Sequence, residues 1–286
     1  SSSYTGHTHF NFFIPIEYNS YFSNLLYLFE TKYGFELSKT VVYIDENILD
    51  PVLLSTKCYN GGGHLLNIAN LSRLLIGEFF EYDKLIYLDC DSIIQLDILE
   101  KINFLSMKYG IYASLANIQN RSPKKTIIIK MENILDCNYD WNSLIGHKID
   151  PNKFVLMGAP FVADCKKWGD IYKNILKIVN AHNKAKNGIY KLFTMSLQNL
   201  LFYNNFGDLS SILTTKPDLG SDRKKWDMVD LIECDILDWS GIYKPWYKNG
   251  LYRHLWQRYD ILNLSKDFGE IKTNKHIIEN SIKMIK

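Results

Sequence analysis

Short apolar runs alternate with amphipathic stretches along most of this chain, and the order predicts strands alternating with helices. Phe10 to Ile16 is an apolar run closed by Pro15 and Glu17 and reads as a buried first strand. Tyr21 to Tyr33 carries Phe22, Leu25, Leu26 and Phe29 on one helical face, and Gly34 closes it. Thr40 to Ile44 reads as a second strand, Gly61-Gly62-Gly63 as a loop, and His64 to Phe80 as an amphipathic helix with Ile68, Leu71, Leu75 and Phe79 on one side. Further strands are predicted at Leu85 to Leu88, Tyr109 to Leu115 and Phe154 to Ala163. Further helices are predicted at Lys166 to Ala181 and Leu192 to Tyr203. Asn117 to Asn152 is polar and turn-rich, and the chain turns irregular after Gly207. Such alternation argues for an α/β fold with a mostly parallel central sheet covered on both faces. Ser1 to His9 reads as a flexible lead, and no composition shift marks a linker, so residues 10–286 are expected to form a single domain.

Composition narrows the classes. Of 286 residues, 47% are hydrophobic and 14% aromatic, enough for a sizeable core and against disorder. A formal net charge of +2 supplies no whole-molecule field for nucleic acid or anionic membranes. The five cysteines have no C-x-x-C spacing, which disfavours a disulfide scaffold or a zinc site and favours a reducing, cytoplasmic setting. No apolar run is long enough to span a membrane, and no signal peptide is visible.

The richest chemistry lies in Lys84-Leu85-Ile86-Tyr87-Leu88-Asp89-Cys90-Asp91, an apolar strand ending in two carboxylates. If the strand continues through Asp91, both carboxylates share a face, because side chains two apart in a strand do. If it ends at Leu88, a turn can still converge them. Strand C-terminal ends are where open α/β sheets place ligands, and paired carboxylates suit a divalent ion able to hold a diphosphate. The plainer alternative is a pair of solvated loop residues. Arg73, on the preceding helix, reads equally as a clamp on an anionic ligand or as a surface residue. Ser240-Gly241-Ile242-Tyr243-Lys244-Pro245-Trp246 is a compact loop in which Gly241 permits close backbone approach to a phosphate and Lys244 adds a point charge. There is no P-loop, no G-x-G-x-x-G, no H-E-x-x-H and no G-x-S-x-G.

Taken in order, these pieces resemble glycosyltransferase family 8, the retaining sugar-nucleotide transferases. The first block is Asn70 to Phe80 continuing into Asp83-Lys84-Leu85-Ile86-Tyr87-Leu88-Asp89-Cys90-Asp91, like the family's "D-K-[VI]-[IL]-Y-L-D-x-D". The second is Phe161 to Trp168, ending in Lys166-Lys167-Trp168. The third is Gly241 to Trp246, like "H-x-x-G-x-x-K-P-W". The resemblance implies a Rossmann-like glycosyltransferase-A type fold, a UDP-sugar donor and Mn²⁺ or Mg²⁺. By the same resemblance, Asp89 and Asp91 hold the metal and Arg73 contacts the donor. Gly241 and Lys244 meet the diphosphate. Gln198 falls on the Gln of the family's "D-Q-D", on the reactive face of the sugar. Arg73, Gln198 and Asp91 are thus the implied catalytic set. Glu17, Asn19 and Tyr21, together with Asp89, Cys90, Gly241 and Lys244, are the implied donor-binding set. The family's metal-binding His falls at Asp238, a third candidate ligand. Its Asn-X-Gly reads Met157-Gly158-Ala159, and the residues flanking its Gln read Leu197 and Asn199. The rival readings are a degenerate nucleotide- or glycan-binding module of the same fold, and a phosphatase using an Asp nucleophile.

Overall fold

The computed structural model describes residues 8–57, 68–119, 126–169, 171–221 and 226–269. Gly61 to Gly63, Cys58, the first turn of the helix predicted from His64, and Ser1 to His7 of the lead lie outside the described residues. The strands are β1 (Phe10–Pro15), β2 (Lys39–Ile44), β3 (Leu85–Tyr87), β4 (Ser92–Ile94), β5 (Ile111–Leu115), β6 (Asn117–Gln119), β7 (Thr126–Ile128), β8 (Leu156–Ala163), β9 (Phe206–Asp208), β10 (Thr215–Lys216) and β11 (Ile236–Asp238). The chain divides into two compact units. One comprises Ser1–Leu88, Glu100–Ile118 and Ile127–Ile212. The other comprises Asp89–Leu99, Gln119–Thr126 and Leu213–Lys286.

In the larger unit, β1 and β2 pair in parallel, and a four-stranded sheet runs in the order β3-β8-β5-β9. In that sheet β8 is antiparallel to both β3 and β5, whereas β5 and β9 are parallel. Aromatic stacking fixes this sheet to its neighbours. Tyr87 stacks on its cross-strand partner Phe161 at 4.8 Å, and Phe161 stacks on Trp168 at 5.1 Å. The Trp168 indole donates to the Leu74 carbonyl at 3.3 Å. The Lys166-Lys167-Trp168 block is therefore structural. Its Trp is core, and its lysines pair with Asp83 at 2.9 Å and Asp164 at 3.1 Å.

Helices begin and end close to the predicted places. Asn19–Tyr33 ends at Gly34, whose φ of +69° is open to glycine at little cost. The helix predicted to reach Phe80 is helical over its described part but tightens to a 3₁₀ turn at Arg73–Leu75 between α-helical Ile68–Ser72 and Ile76–Phe79. The helix predicted at Lys166 to Ala181 is two helices, Cys165–Gly169 and Tyr172–Lys184. The first of them ends at a close approach, where a Cβ on Gly77 would lie 2.0 Å from the Gly169 nitrogen. The turn-rich stretch Asn117 to Asn152 contains two short helices, Met131–Ile134 and Trp141–Ile145.

Two buried polar side chains hold the larger unit together. Asn199, on the helix Phe193–Leu201, accepts from Leu156 N at 2.7 Å. It also donates to Leu156 O at 3.0 Å and Met195 O at 2.8 Å. It thus completes the first residue of β8, where the ladder to β5 shifts register between Ala113 and Leu115. His182 is buried, stacks on Tyr190 at 3.8 Å, and accepts from Ile189 N at 3.0 Å through Nδ1. Its Nε2 lies 2.9 Å from Lys57 O, the arrangement of a neutral ring donating there.

The smaller unit has a mixed sheet in the order β10-β11-β4, with β10 and β11 parallel and β11 and β4 antiparallel. Its own core gathers Leu219, Leu231, Cys234, Leu237, Trp239 and Leu255. Among the described residues, no helix is long and apolar enough to cross a membrane, and Cys90, Cys137, Cys165 and Cys234 are free.

Two outcomes follow from these buried groups. Asn199→Asp removes the donor that faces Leu156 O and places a charge there. It should destabilise the fold by about 2 kcal/mol or more at neutral pH, measured as a shift in urea midpoint. Burial holds the His182 pKa below 6.5, so the unfolded chain takes up the proton first. The stability from this ring is fully present above pH 6.5 and is lost as pH falls. The stability gap between wild type and His182→Gln should shrink between about pH 7.5 and about pH 5.

Candidate active site

The strand Leu85–Tyr87 ends before the carboxylates, and a turn carries the chain from Asp89 into β4, with Ser92 N donating to Asp89 O at 3.1 Å. Of the two geometries open to the motif, the turn is the one adopted. It brings oxygens of Asp89 and Asp91 together with one of Asp238, all within 4.8 Å of one another. Among the described residues no other three acidic, His or Cys side chains gather in this way. Cys90, between the two, is exposed.

Asp238 ends β11, opposite Ser92 in β4. It is 1% exposed, and both its oxygens are engaged. Ser92 Oγ donates to Oδ2 at 2.9 Å, Ser240 N to Oδ1 at 3.0 Å, and Ser240 Oγ also to Oδ1. Burial first and the Asp91 charge second push its pKa up to about 6, against the pull of the Ser240 hydroxyl. Asp89 adds to the rise. The cluster is thus electrostatically frustrated, and three hard oxygen donors with excess negative charge fit Mg²⁺ or Mn²⁺.

Lys244 stands at the rim of the cluster. Its ammonium pairs with Asp91 Oδ2 and donates to Trp239 O at 2.8 Å. Trp239 ties the same region together, because its N donates to Asp91 O at 3.0 Å and its indole to Leu251 O at 2.8 Å. Gly241 has a φ of +111°, and a Cβ there would lie 2.4 Å from Gly220 O. Only glycine fits this crossing. The loop is further closed by Tyr243 N donating to Gly220 O at 2.9 Å.

The remaining sequence-derived residues lie in the larger unit. Arg73 is 8% exposed, so it is not a surface residue. Its Nη1 donates to Gly158 O at 3.0 Å and its guanidinium lies 4.9 Å from the centroid of Tyr87. Gln198 is fully buried, and its Nε2 donates to Met157 O at 3.0 Å while Oε1 has no hydrogen-bond partner. Both side chains therefore grip Met157-Gly158, the start of the stretch aligned with the family's Asn-X-Gly. Leu197 is fully buried in the core. Glu17, Asn19 and Tyr21 are exposed at the C-terminal end of β1, in the turn and helix start that follow it.

Sequence reading missed Ser92, Ser240, Tyr87 and Gly220. The Asp238-x-Ser240 spacing was a usable signal, because Asp followed two residues later by a backbone donor is an Asx-type turn.

The family model described as Glycosyl transferase family 8 matches residues 3–250. No curated protein is similar enough to the chain to count as a match. Among solved structures, the galactosyltransferase LgtC in complex with donor and acceptor sugar analogues is 13% identical, over 93% of this chain and 98% of that one, with a TM-score of 0.52. An active-site mutant of LgtC is 14% identical over 90% and 95%, with a TM-score of 0.56. The apo-form glycosyltransferase GlyE from Streptococcus pneumoniae TIGR4 is 15% identical over 90% of this chain and 61% of that one, with a TM-score of 0.50. At such identities the likeness is one of fold, an α/β fold of the Rossmann-like glycosyltransferase-A type. The family match spans most of the sequence and includes both the paired carboxylates and the Gly241 to Trp246 loop, and the chain therefore belongs to glycosyl transferase family 8.

Proposed function

We propose that this glycosyltransferase moves a sugar from a UDP-sugar to an acceptor hydroxyl with retention at the anomeric carbon, residues 10–286 acting as one catalytic domain. The observation that carries the reading is the convergence of Asp89, Asp91 and Asp238 within 4.8 Å, with the Lys244 ammonium beside them. The family match supports the donor class. Asp89, Asp91 and Asp238 would hold a divalent ion, which when bound supplies positive charge to the departing diphosphate.

The chain's own residues have the following roles in this reading. Lys244 exchanges its partner Asp91 for a diphosphate oxygen and so stabilises charge as the bond between sugar carbon and diphosphate oxygen breaks. Gly241, held by its crossing with Gly220, carries the loop that meets the diphosphate, and Cys90 lines the turn between the two carboxylates. Glu17, Asn19 and Tyr21 hold the uridine, and Arg73 contacts the donor. The acceptor oxygen bonds to the same anomeric carbon, and its proton passes to the leaving diphosphate. Gln198 Oε1, the acceptor atom left without a protein donor, supports positive charge on the sugar. Membership of the family leaves no support for a phosphatase using an Asp nucleophile.

A second reading is a binding module without turnover. It is favoured by one observation, that Leu197 and Asn199 serve the core and β8 where the resemblance has acidic residues. A panel of UDP-sugars with and without Mn²⁺, followed by mass spectrometry of products, separates the two. Metal-dependent release of UDP from one donor is expected, while UDP binding with no turnover of any donor would favour the module.

Asp89→Asn should lower metal-dependent turnover by about 100-fold or more, and Lys244→Met by a comparable factor, both read as kcat/KM. Unchanged turnover in Asp89→Asn would sink the mechanism. The raised Asp238 pKa sets a pH window. The unfolded chain ionises near 3.8 and the folded chain near 6, so the metal-free fold loses stability as pH rises between these values. Ion binding recovers that loss only where Asp238 is ionised. Mn²⁺ should therefore raise Tm more at about pH 7.5 than at about pH 5.

A further inference from the structure

We infer that Asp238 makes the cation site all-oxygen and sets its ion preference toward hard divalent ions, with Ser92 and Ser240 as the positioning residues that aim its carboxylate. The inference rests on the divalent-ion reading above and goes beyond it in naming which ions are taken and what selects them.

An ionised carboxylate offers about four lone-pair positions. Three on Asp238 are filled, two on Oδ1 by Ser240 and one on Oδ2 by Ser92. The position left over belongs to Oδ2. The carboxylate is thus fixed from outside and keeps one acceptor site, as expected of a ligand oriented by outer partners. A carboxylate retained only for packing would need neither its burial at 1% exposure nor two other carboxylates within 4.8 Å.

Among the described residues the converging side chains are three carboxylates, with the Lys244 ammonium on Asp91. This donor set contains no nitrogen and no sulfur, since Cys90 in the intervening position is not among the converging side chains. Carboxylate oxygens suit Mg²⁺, Ca²⁺ and Mn²⁺, whereas an imidazole raises affinity for Co²⁺, Ni²⁺ and Zn²⁺ relative to Mg²⁺. The resemblance places His at position 238, so the Asp found here removes that nitrogen and moves the balance toward Mg²⁺. Two hydroxyl donors and one N–H converge on this side chain, and all of them suit a carboxylate.

Metal-stripped full-length protein is titrated with Mg²⁺, Mn²⁺ and Co²⁺ in the absence of any sugar nucleotide. Binding is read by calorimetry and by fluorescence of the adjacent Trp239. The quantity that decides is the ratio of Mg²⁺ to Co²⁺ affinity. Asp238→His is expected to lower that ratio about tenfold, and Asp238→Asn to weaken all three ions about tenfold or more. Ser240→Ala is expected to weaken all three by a smaller factor without changing the ratio. A ratio in Asp238→His within threefold of wild type overturns the inference, as does unchanged Mg²⁺ binding in Asp238→Asn. If Asp238→His fails to fold by circular dichroism, Asp238→Asn decides. Selective ion binding without turnover of any UDP-sugar would refute the transferase reading and leave the inference standing. Turnover with Asp238 variants unaltered in ion binding would do the reverse.

Discussion

Like charges in close quarters govern the smaller unit. Asp238 is buried at the end of a strand with two further carboxylates within 4.8 Å, and such a group ionises only at a cost. Much of the surrounding design is explained as the means of bearing that cost. Ser92 and Ser240 give hydrogen bonds that survive ionisation, Lys244 gives a counter-charge, and the Trp239 backbone holds the turn through Asp91 O. Gly220 and Gly241 cross so closely that neither tolerates a side chain, which lets the chain return through Tyr243 to Lys244. Remove the carboxylate cluster and the serines, the lysine and the glycine crossing lose their common purpose.

The larger unit obeys a different constraint, one of aromatic packing. Tyr87, Phe161 and Trp168 form a continuous stack, and Trp168 reaches back to the Leu74 carbonyl in the turn that carries Arg73. Arg73 then lies over Tyr87 and reaches Gly158 O. Of the residues that would read as a signature of chemistry, the Trp of Lys-Lys-Trp belongs to this stack, whereas Asp83 and Lys166 form an exposed ion pair on the surface. The 3₁₀ turn at Arg73–Leu75 thus starts at the residue whose guanidinium meets a ring and a carbonyl.

How much of this was legible beforehand depended on whether the signal was local. Apolar runs and capping glycines located β1, β2, β5, β8 and the helix ending at Gly34, because periodicity and φ > 0 are properties of a few consecutive residues. The close approach of Gly169 to Gly77, 92 positions earlier (169 − 77), was not legible, since contacts between distant segments leave no local pattern. The antiparallel seating of β8 between β3 and β5 was hidden for the same reason, because strand direction in a sheet is set by distant chain segments. At the site, Asp89 and Asp91 were visible as a pair from spacing alone. Asp238 came from family resemblance, and its serine partners from neither, although Asp238-x-Ser240 is a local turn pattern.

The departures from the family pattern acquire a physical meaning that sequence could not supply. Asn199 both donates to and accepts from Leu156, a task an ionised Asp cannot perform, because it has no donor. Leu197 is packed into the core, so an acid there would be buried without a partner. These two substitutions are mutually consistent. The helix Phe193–Leu201 presents Gln198 alone as an acceptor with an unfilled position and commits both neighbours to the fold. Met157, whose carbonyl takes the other end of the Gln198 amide, replaces an Asn of the family pattern with a side chain that has no hydrogen to donate. Whatever polar recognition the pattern's Asn and acids supply elsewhere, this helix and strand do not offer it.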